Sequence, residues 1–457
     1  MATAHAPSPS LLLTAPVLPT LWRLAMPNMV AMVGGAVAAI AETAYVGQLG
    51  VAALAGMALV FPLLMLQQMF SGGAMGGAIA SLVSRALGAG QTARAEALVV
   101  HALGLAVVAG LATTVLMLTL SDAVFGLLGG RDLPLAQAVA YAHVAFLGSA
   151  GVWLLNTLSA VLRATGNMLV PSVILIAVGL AQVALAGVFG LGAGPIPRLG
   201  MQGIALGQVL AYAGGTVVLV GYLYSGKARI RLRLRGATWQ PALARDLLQL
   251  GLKACASPLQ TIGTMMILTW LVARSGPQAL AGYGIGTRLE FLLVPLAFSF
   301  GAASVPLIGM AIGAGQVARA RRVGWTAAAM AGLLLGSAGL VLAVVPDLWT
   351  DLFTKDPAVL AAADTYFHWA GPFYMLYGAG LSLYSSAIAA NRVGGQVLAG
   401  TLRLLLVAAG GAALVSAQAP AWAIFALVAV GMAAYGAASI LLVRYTPWEP
   451  PLRPAPA

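Results

Sequence analysis

Charged residues are scarce in this chain of 457 residues, in which they make up 7% of the sequence against 61% for hydrophobic residues. A water-soluble globular protein has about 25% charged residues, so most of this chain must lie in a non-aqueous solvent. In hydrocarbon every backbone polar group needs an internal partner, which restricts membrane spans to helices or closed barrels. The apolar runs are about 20 residues long or longer and lack the alternation of barrel strands. The sequence therefore predicts an all-α polytopic membrane protein.

Cysteine is almost absent, and the single one, Cys255, lies inside an apolar run. We expect it to pack as a small hydrophobic side chain. The sequence also lacks a nucleophile elbow, zinc-ligand spacing and an ATPase phosphate loop. His101, His143 and His368 show no metal-ligand spacing and are interpreted as packing or interfacial residues. We therefore expect no enzymatic activity, no cofactor and no bound metal, and any active transport must draw on an ion gradient.

Acidic residues are half as frequent as basic ones, with 11 against 23, which gives a net charge of +12. Most basic residues, Arg85 and Arg403 among them, fall in segments that share one side of the membrane if the spans alternate in direction. The aspartates between 347 and 364 fall on the other side. Cytoplasmic loops are enriched in Lys and Arg, so we expect both termini in the cytoplasm of a bacterium, with the chain in its inner membrane. The positive charge thus indicates topology, and we expect no nucleic-acid partner.

Twelve apolar segments can be counted, and 56 glycines suit close packing of membrane helices. The segments lie at about 22–46, 53–82, 97–120, 136–162, 168–191, 202–224, 246–273, 279–311, 324–346, 359–389, 396–417 and 421–443. The predicted domains are a cytoplasmic tail at 1–20, an N-lobe of six spans at 21–225, a basic cytoplasmic linker at 226–243, a C-lobe of six spans at 244–445 and a cytoplasmic tail at 446–457.

The two halves of the chain resemble each other. Segment 87–95 (LGAGQTARA) matches 312–320 (IGAGQVARA) at seven of nine positions, at an offset of 225 residues. Segment 53–56 (ALAG) recurs at 279–282, at an offset of 226. Matches at a common offset indicate duplication. Because each repeat holds an even number of spans, the lobes should share one orientation, with the substrate site near mid-membrane between or within them.

Two acids, Glu42 and Glu290, fall well inside apolar spans. A carboxylate in lipid is costly, and its default interpretation is a functional site. Loss of water disfavours the charged carboxylate, so such a group can bind a proton and exchange it for a cationic substrate. The alternatives are that Glu42 reaches the outer interface and that Glu290 closes a buried ion pair with another helix.

Amides and aromatic side chains inside the spans are candidates to complete a substrate site. Each is alternatively a helix–helix hydrogen bond or an ordinary packing residue. The residues predicted to bind substrate are Glu42, Asn28, Asn156, Gln182, Tyr283 and Glu290, and those predicted to couple to the ion are Glu42 and Glu290.

Several short motifs resemble those of the multidrug and toxic compound extrusion (MATE) family over nearly all of residues 20–445. They are ETAYVGQLG at 42–50, ALAG at 53–56, the paired GAGQ segments at 88–91 and 313–316, and RATGN at 163–167. The resemblance implies twelve helices in two pseudo-symmetric six-helix lobes that form a V. It also implies export of organic cations and drugs across the lipid bilayer in exchange for protons or sodium, and we expect a monomer.

Comparison with the family pattern bears on the coupling ion. The first-helix motif of the family usually carries aspartate at the position of Glu42, and the substitution keeps the charge. The Asn and Asp of many bacterial members in the fifth helix fall here on Gln182 and Ala186, and no acid occurs among Tyr377, Gly378 and Ala379 in the tenth. A sodium site needs several oxygens, so the resemblance favours proton coupling through Glu42, with Glu290 as the second-lobe candidate. The alternatives are sodium coupling and a lipid-linked precursor flippase.

Overall fold

The computed structural model describes residues 9–192, 197–230 and 239–448. These residues form seventeen α-helices and no strand, which confirms the predicted all-α class for this part of the chain. The helices are α1 (Pro9–Thr14), α2 (Val17–Gln48), α3 (Val51–Gln68), α4 (Gly76–Gly88), α5 (Thr92–Leu127), α6 (Asp132–Leu147), α7 (Ser149–Ala164), α8 (Leu169–Leu191), α9 (Gly200–Tyr224), α10 (Pro241–Ala273), α11 (Pro277–Gly313), α12 (Val317–Val344), α13 (Asp347–Thr350), α14 (Pro357–Ala370), α15 (Tyr374–Ala389), α16 (Val393–Ser416) and α17 (Ala421–Tyr445).

Ten helical stretches in the described residues are long and apolar enough to cross a membrane, and one of them joins α3 to α4 through a π-helical segment at Met69–Met75. The pair α6 and α7, bent by 50°, makes an eleventh. The predicted span at 359–389 consists of two helices, α14 and α15, because a short 3₁₀ segment at Gly371–Phe373 separates them. Each of the twelve predicted segments therefore lies on one helix or on one interrupted pair.

The described chain divides into two compact units. The first contains Met26–Gly251 and Pro9, and the second contains Ser10–Ala25 together with residues 252–448. The first turns of α2 and of α10 thus belong to a different unit from the remainder of each helix. The predicted tails at 1–20 and 446–457 and the linker at 226–243 lie partly outside the described residues.

The start of α10 is attached to α5 within the first unit through His101. This buried imidazole stacks on Trp239, with ring centroids 4.5 Å apart. Its Nε2 accepts a hydrogen bond from the backbone N–H of Gln240 at 2.7 Å, and its Nδ1 lies 2.7 Å from the carbonyl oxygen of Ala97. A carbonyl can only accept, so Nδ1 carries the ring proton and the imidazole is neutral in this arrangement.

The α8–α9 pair in the first unit packs closely because α9 carries glycine at the contact. A Cβ added to Gly207 would lie 2.5 Å from the backbone nitrogen of Ala186, and one added to Gly203 would lie 2.2 Å from the carbonyl oxygen of Phe189. Small residues let membrane helices approach in this way. The close approach holds the polar side chains of both helices at fixed positions in the interior of the unit.

In the second unit a glycine makes room for an aromatic ring beside an acid. A Cβ on Gly286 of α11 would lie 2.2 Å from the ring of Tyr366 on α14. The Tyr366 ring makes edge-to-face contacts with Tyr283 and Phe425, at centroid distances of 5.6 and 5.8 Å. Since Glu290 follows Gly286 by one helical turn, the hydroxyl group of Tyr366 is directed to the carboxylate of Glu290.

Candidate functional site

Glu42 lies near the end of α2 and is only 4% exposed. Its Oε1 accepts a hydrogen bond from the hydroxyl of Tyr141 on α6 at 2.7 Å. Its Oε2 accepts one from the side-chain amide of Gln182 on α8 at 2.6 Å. The carboxylate therefore points into the first unit, and the alternative in which it reaches the outer interface does not describe this structure.

The hydroxyl of Tyr141 also lies 2.9 Å from Oε1 of Gln208 on α9. A tyrosine hydroxyl has one proton, so it donates to Glu42 or to Gln208 but not to both at once. A carboxylate attracts this proton more strongly than a neutral amide oxygen does. The geometry therefore allows Tyr141 to donate to Glu42 while the acid is charged and to turn to Gln208 once the acid carries its own proton.

A second polar network lies on the same face of α9, one turn beyond Gln208. Asn156 on α7 donates to Oε1 of Gln68 at 2.9 Å and to the hydroxyl of Ser71 at 2.8 Å. Gln68 in turn donates to the hydroxyl of Tyr212 at 2.6 Å. The π-helical segment begins directly after Gln68 and carries Ser71, and such segments are frequent at functional sites.

Glu290 is partly buried on α11 in the second unit. It accepts hydrogen bonds from the hydroxyl of Tyr366 and, at 3.3 Å, from that of Tyr374. Among the described residues no basic side chain lies within salt-bridge distance of it. The buried guanidinium of Arg403 on α16 nevertheless interacts with it electrostatically, so the predicted pairing with another helix takes the form of a longer-range charge interaction. Its neighbour Arg288 instead lies over the ring of Phe353, 5.2 Å from the centroid.

Arg403 requires a correction of the sequence-based topology. We predicted it on the cytoplasmic side, but it lies about 15 Å from the start of α16 at about 1.5 Å per residue, and it is 9% exposed. Its guanidinium donates to the hydroxyl of Tyr377 at 3.2 Å and stands over that ring at 4.8 Å and over Tyr435 at 6.0 Å. Its Nε has no hydrogen-bond partner among the described residues. The predicted span at 396–417 already includes this position, but the sequence alone does not distinguish a buried arginine from one that reaches the membrane interface.

The predicted site residues are only partly brought together. Glu42 and Gln182 are in direct contact, and Asn156 belongs to the neighbouring network. Asn28 is buried on α2 but lies about 21 Å from Glu42 along that helix. Tyr283 and Glu290 belong to the second unit, where Tyr283 packs against Tyr366.

Sequence reasoning missed four polar partners in the first unit: Gln68, Tyr141, Gln208 and Tyr212. One signal was available, because Gln208 and Tyr212 are spaced by one helical turn in an apolar span, and polar residues in such spans are functional candidates. No pattern marked Tyr141, since tyrosine is common in membrane helices and its partner is distant in sequence.

A bundle of membrane-spanning helices with buried acids and amides in its interior is typical of a membrane transporter. Residues 27–188 and 255–409 match the MatE family model, which is more than half of the chain. The chain belongs to the MatE family, as the motifs predicted. Members of this family are transporters, which confirms the expectation that the protein is not an enzyme.

Proteins similar to this chain occur in bacteria and in an archaeon. A FAD transporter of Shewanella oneidensis is 25% identical over 354 residues, which cover 76% of this chain and 77% of that protein. A probable multidrug resistance protein NorM of Deinococcus radiodurans is 28% identical over 383 residues, 81% of this chain and 82% of that protein. A MOP superfamily transporter from Pyrococcus furiosus superposes with a TM-score of 0.88 at 19% identity, over 96% of this chain and 98% of that one, and shows the shared fold.

Proposed function

We propose that this protein is a secondary active antiporter that exports lipophilic and cationic compounds in exchange for protons by alternating access. One observation carries the proposal: Glu42 is buried and hydrogen-bonded only to neutral groups. In the described part of the chain no basic side chain lies within salt-bridge distance of it. An uncompensated charge is costly in a membrane interior, so the carboxylate must take up a proton or a cation.

Competition for this carboxylate couples the two fluxes. The ionised acid binds a cationic substrate, and the protonated acid does not, so each excludes the other. Tyr141 and Gln182 both donate to Glu42, which stabilises the ionised form and opposes permanent protonation. A change of occupant also turns the hydroxyl proton of Tyr141 away from Glu42 or back towards it, which connects the state of Glu42 to Gln208 on α9.

The polar and aromatic groups near the two acids support the proposed substrate class. The hydroxyls of Tyr366 and Tyr374 donate to Glu290, and the ring of Tyr283 packs on that of Tyr366. Aromatic faces attract cations. Asn156 belongs to the second polar network of the same unit, which reaches α9 through Gln68 and Tyr212. The relative in Deinococcus radiodurans that is named a probable multidrug resistance protein supports export of drugs.

Protons are favoured over sodium as the coupling ion by the groups that contact Glu42. Gln182 presents an N–H group to the carboxylate, and an N–H group cannot ligate sodium. Hard cations prefer several oxygen ligands, and Ala186 supplies none at the position where many family members carry aspartate. Sodium coupling is the alternative.

The proposed orientation places both ends of the chain in the cytoplasm, with the protein in a bacterial inner membrane as a monomer. The excess of Lys and Arg on one set of loops supports it. The bacterial relatives support the choice of membrane.

A second candidate function is export of an anionic planar compound such as a flavin nucleotide. The buried guanidinium of Arg403, which stands over Tyr377 and Tyr435, favours it. The relative in Shewanella oneidensis that is named a FAD transporter is in line with this candidate. A lipid-linked precursor flippase has no comparable support.

Transport in everted vesicles tests these proposals. Ethidium movement is driven separately by an imposed proton gradient and by an imposed sodium gradient, for the wild type, Glu42→Gln and Glu290→Gln. Asp122→Asn, which neutralises an exposed acid, is the control for loss of charge alone. We expect the proton gradient to drive transport and Glu42→Gln to abolish it, while Asp122→Asn retains it.

The other outcomes discriminate among the alternatives. Transport driven by sodium alone contradicts proton coupling. Loss of activity in Glu290→Gln assigns that acid to coupling or substrate binding. Uptake of FAD but not ethidium, with sensitivity to Arg403→Gln, selects the anionic substrate instead.

A further inference from the structure

The beginning of α12 and the end of α17 meet in the second unit and leave a cleft between them. Nη2 of Arg321 donates to the backbone carbonyl oxygen of Arg444 at 3.4 Å. The cleft is open at the surface and is lined by Arg321, Trp325, Ile440 and Arg444. Both arginines are exposed, so their guanidinium groups are accessible at its rim.

The charge of this cleft is not compensated by the helices around it. No aspartate or glutamate occurs in α12, α15, α16 or α17. The salt bridges of the described residues involve neither Arg321 nor Arg444. Two guanidinium groups without a carboxylate partner in the described part of the chain attract an anion, and the planar fork of arginine fits the oxygens of a phosphate group.

The floor of the cleft is apolar. Trp325 and Ile440 pack with Trp448 against the buried side chains of Leu383 and Val443. The Trp448 ring lies close to α12, since a Cβ on Gly324 would be 3.0 Å from it. Tryptophan is enriched where membrane meets water. The cleft therefore has a cationic rim and an apolar floor at a helix end. A phospholipid matches this arrangement, because its anionic phosphate lies beside an apolar acyl chain.

We propose that this cleft binds the phosphate group of an anionic phospholipid, with Arg321 and Arg444 holding the phosphate and Trp325 and Ile440 contacting the glycerol and upper acyl chain. Basic pockets between membrane helices bind anionic headgroups in this way. A soluble phosphate would also bind the two arginines, but it would make no contact with the apolar floor. The floor therefore favours a lipid as the ligand. The site includes neither Glu42 nor Glu290 and does not depend on the transported compound.

Native mass spectrometry of the purified full-length protein in neutral detergent tests the proposal. The protein is titrated with phosphatidylglycerol, with phosphatidylcholine and with inorganic phosphate, and the bound fraction is measured. We expect phosphatidylglycerol to bind and phosphatidylcholine to bind far more weakly. The double variant Arg321→Gln, Arg444→Gln should weaken phosphatidylglycerol binding about 25-fold, since one basic side chain at an anionic headgroup contributes about fivefold.

The matched control is Arg322→Gln, which removes the same charge from the next position of α12, outside the cleft. Retained binding in this variant supports the proposal, whereas an equal loss shows a diffuse charge effect and overturns it. Displacement of the lipid by an equal concentration of inorganic phosphate also overturns it.

If the double glutamine variant does not fold, the double lysine variant gives the test. It keeps both charges but loses the guanidinium fork, so we expect binding weaker than in the wild type. Unchanged affinity in that variant contradicts phosphate recognition by the arginines.

Discussion

Replacing Tyr141 by phenylalanine removes one hydroxyl from the Glu42 network and tests whether the acid is charged. In the structure this hydroxyl lies 2.7 Å from Glu42 and 2.9 Å from Gln208. The ring itself is fully buried, so phenylalanine keeps the packing and changes only the hydrogen bonds. The cost of the substitution therefore depends on the charge of the acceptor.

The two charge states of Glu42 predict different costs. A hydrogen bond to a charged group contributes about 1.5–3 kcal/mol, whereas one between neutral side chains of membrane helices averages about 0.6 kcal/mol. Glutamine at position 42 still accepts a neutral hydrogen bond. A double-mutant cycle of Tyr141→Phe and Glu42→Gln gives a coupling energy. This energy equals the difference between a hydrogen bond from Tyr141 to a charged acceptor and one to a neutral acceptor, which is about 1–2 kcal/mol when the acid is ionised.

The assay is the free energy of unfolding in mixed micelles of increasing SDS content, for the four proteins of the cycle. In alkaline buffer, which favours the ionised form of Glu42, we expect the coupling energy of about 1–2 kcal/mol. In acidic buffer the protonated acid resembles glutamine, and the coupling energy should approach zero. The stabilisation by Tyr141 is thus present at high pH and is lost as the pH falls.

A matched control comes from the neighbouring network. Tyr212 accepts a hydrogen bond from the neutral Gln68, so Tyr212→Phe should cost about 0.6 kcal/mol and show no pH-dependent coupling to Glu42→Gln. A coupling energy for Tyr141 that is near zero in both buffers would refute the reasoning, because the hydroxyl would then not respond to the charge of Glu42.

Further predictions concern packing and the attachment of α10. Gly207→Ala should destabilise the protein by about 1–3 kcal/mol, since its Cβ would lie 2.5 Å from a backbone nitrogen of α8. The control is Gly214→Ala on the same helix, whose Cβ meets nothing within 4 Å, and it should be neutral or stabilising in the same unfolding assay. His101→Phe should cost about 1–3 kcal/mol and speed hydrogen exchange at Gln240, whose N–H loses its acceptor. Arg94→Gln breaks an ion pair at 3.6 Å between partly exposed side chains and should cost less than about 1 kcal/mol, so a larger loss would contradict the assignment of this pair as weak.

The helices and their approximate limits were predictable from the sequence because a membrane helix satisfies its own backbone hydrogen bonds. Length and hydropathy then suffice to find a span. Three predicted segments are interrupted. A short 3₁₀ turn at Gly371–Phe373 divides 359–389, a bend of 50° divides 136–162, and a π-helical segment at Met69–Met75 lies within 53–82. Glu42 and Glu290 could also be found, since a carboxylate is conspicuous in an apolar run.

The partners of these acids were decided only by the tertiary structure. Hydropathy does not distinguish a face packed on protein from a face in contact with lipid, because both environments are apolar. The close approach of α9 to α8 at Gly207 fixes the position of Gln208 on α9. The missing side chain at Gly286 leaves room for the ring of Tyr366. Arg403 shows the same limit, since its burial between Tyr377 and Tyr435 depends on interhelical packing and not on its position in the span.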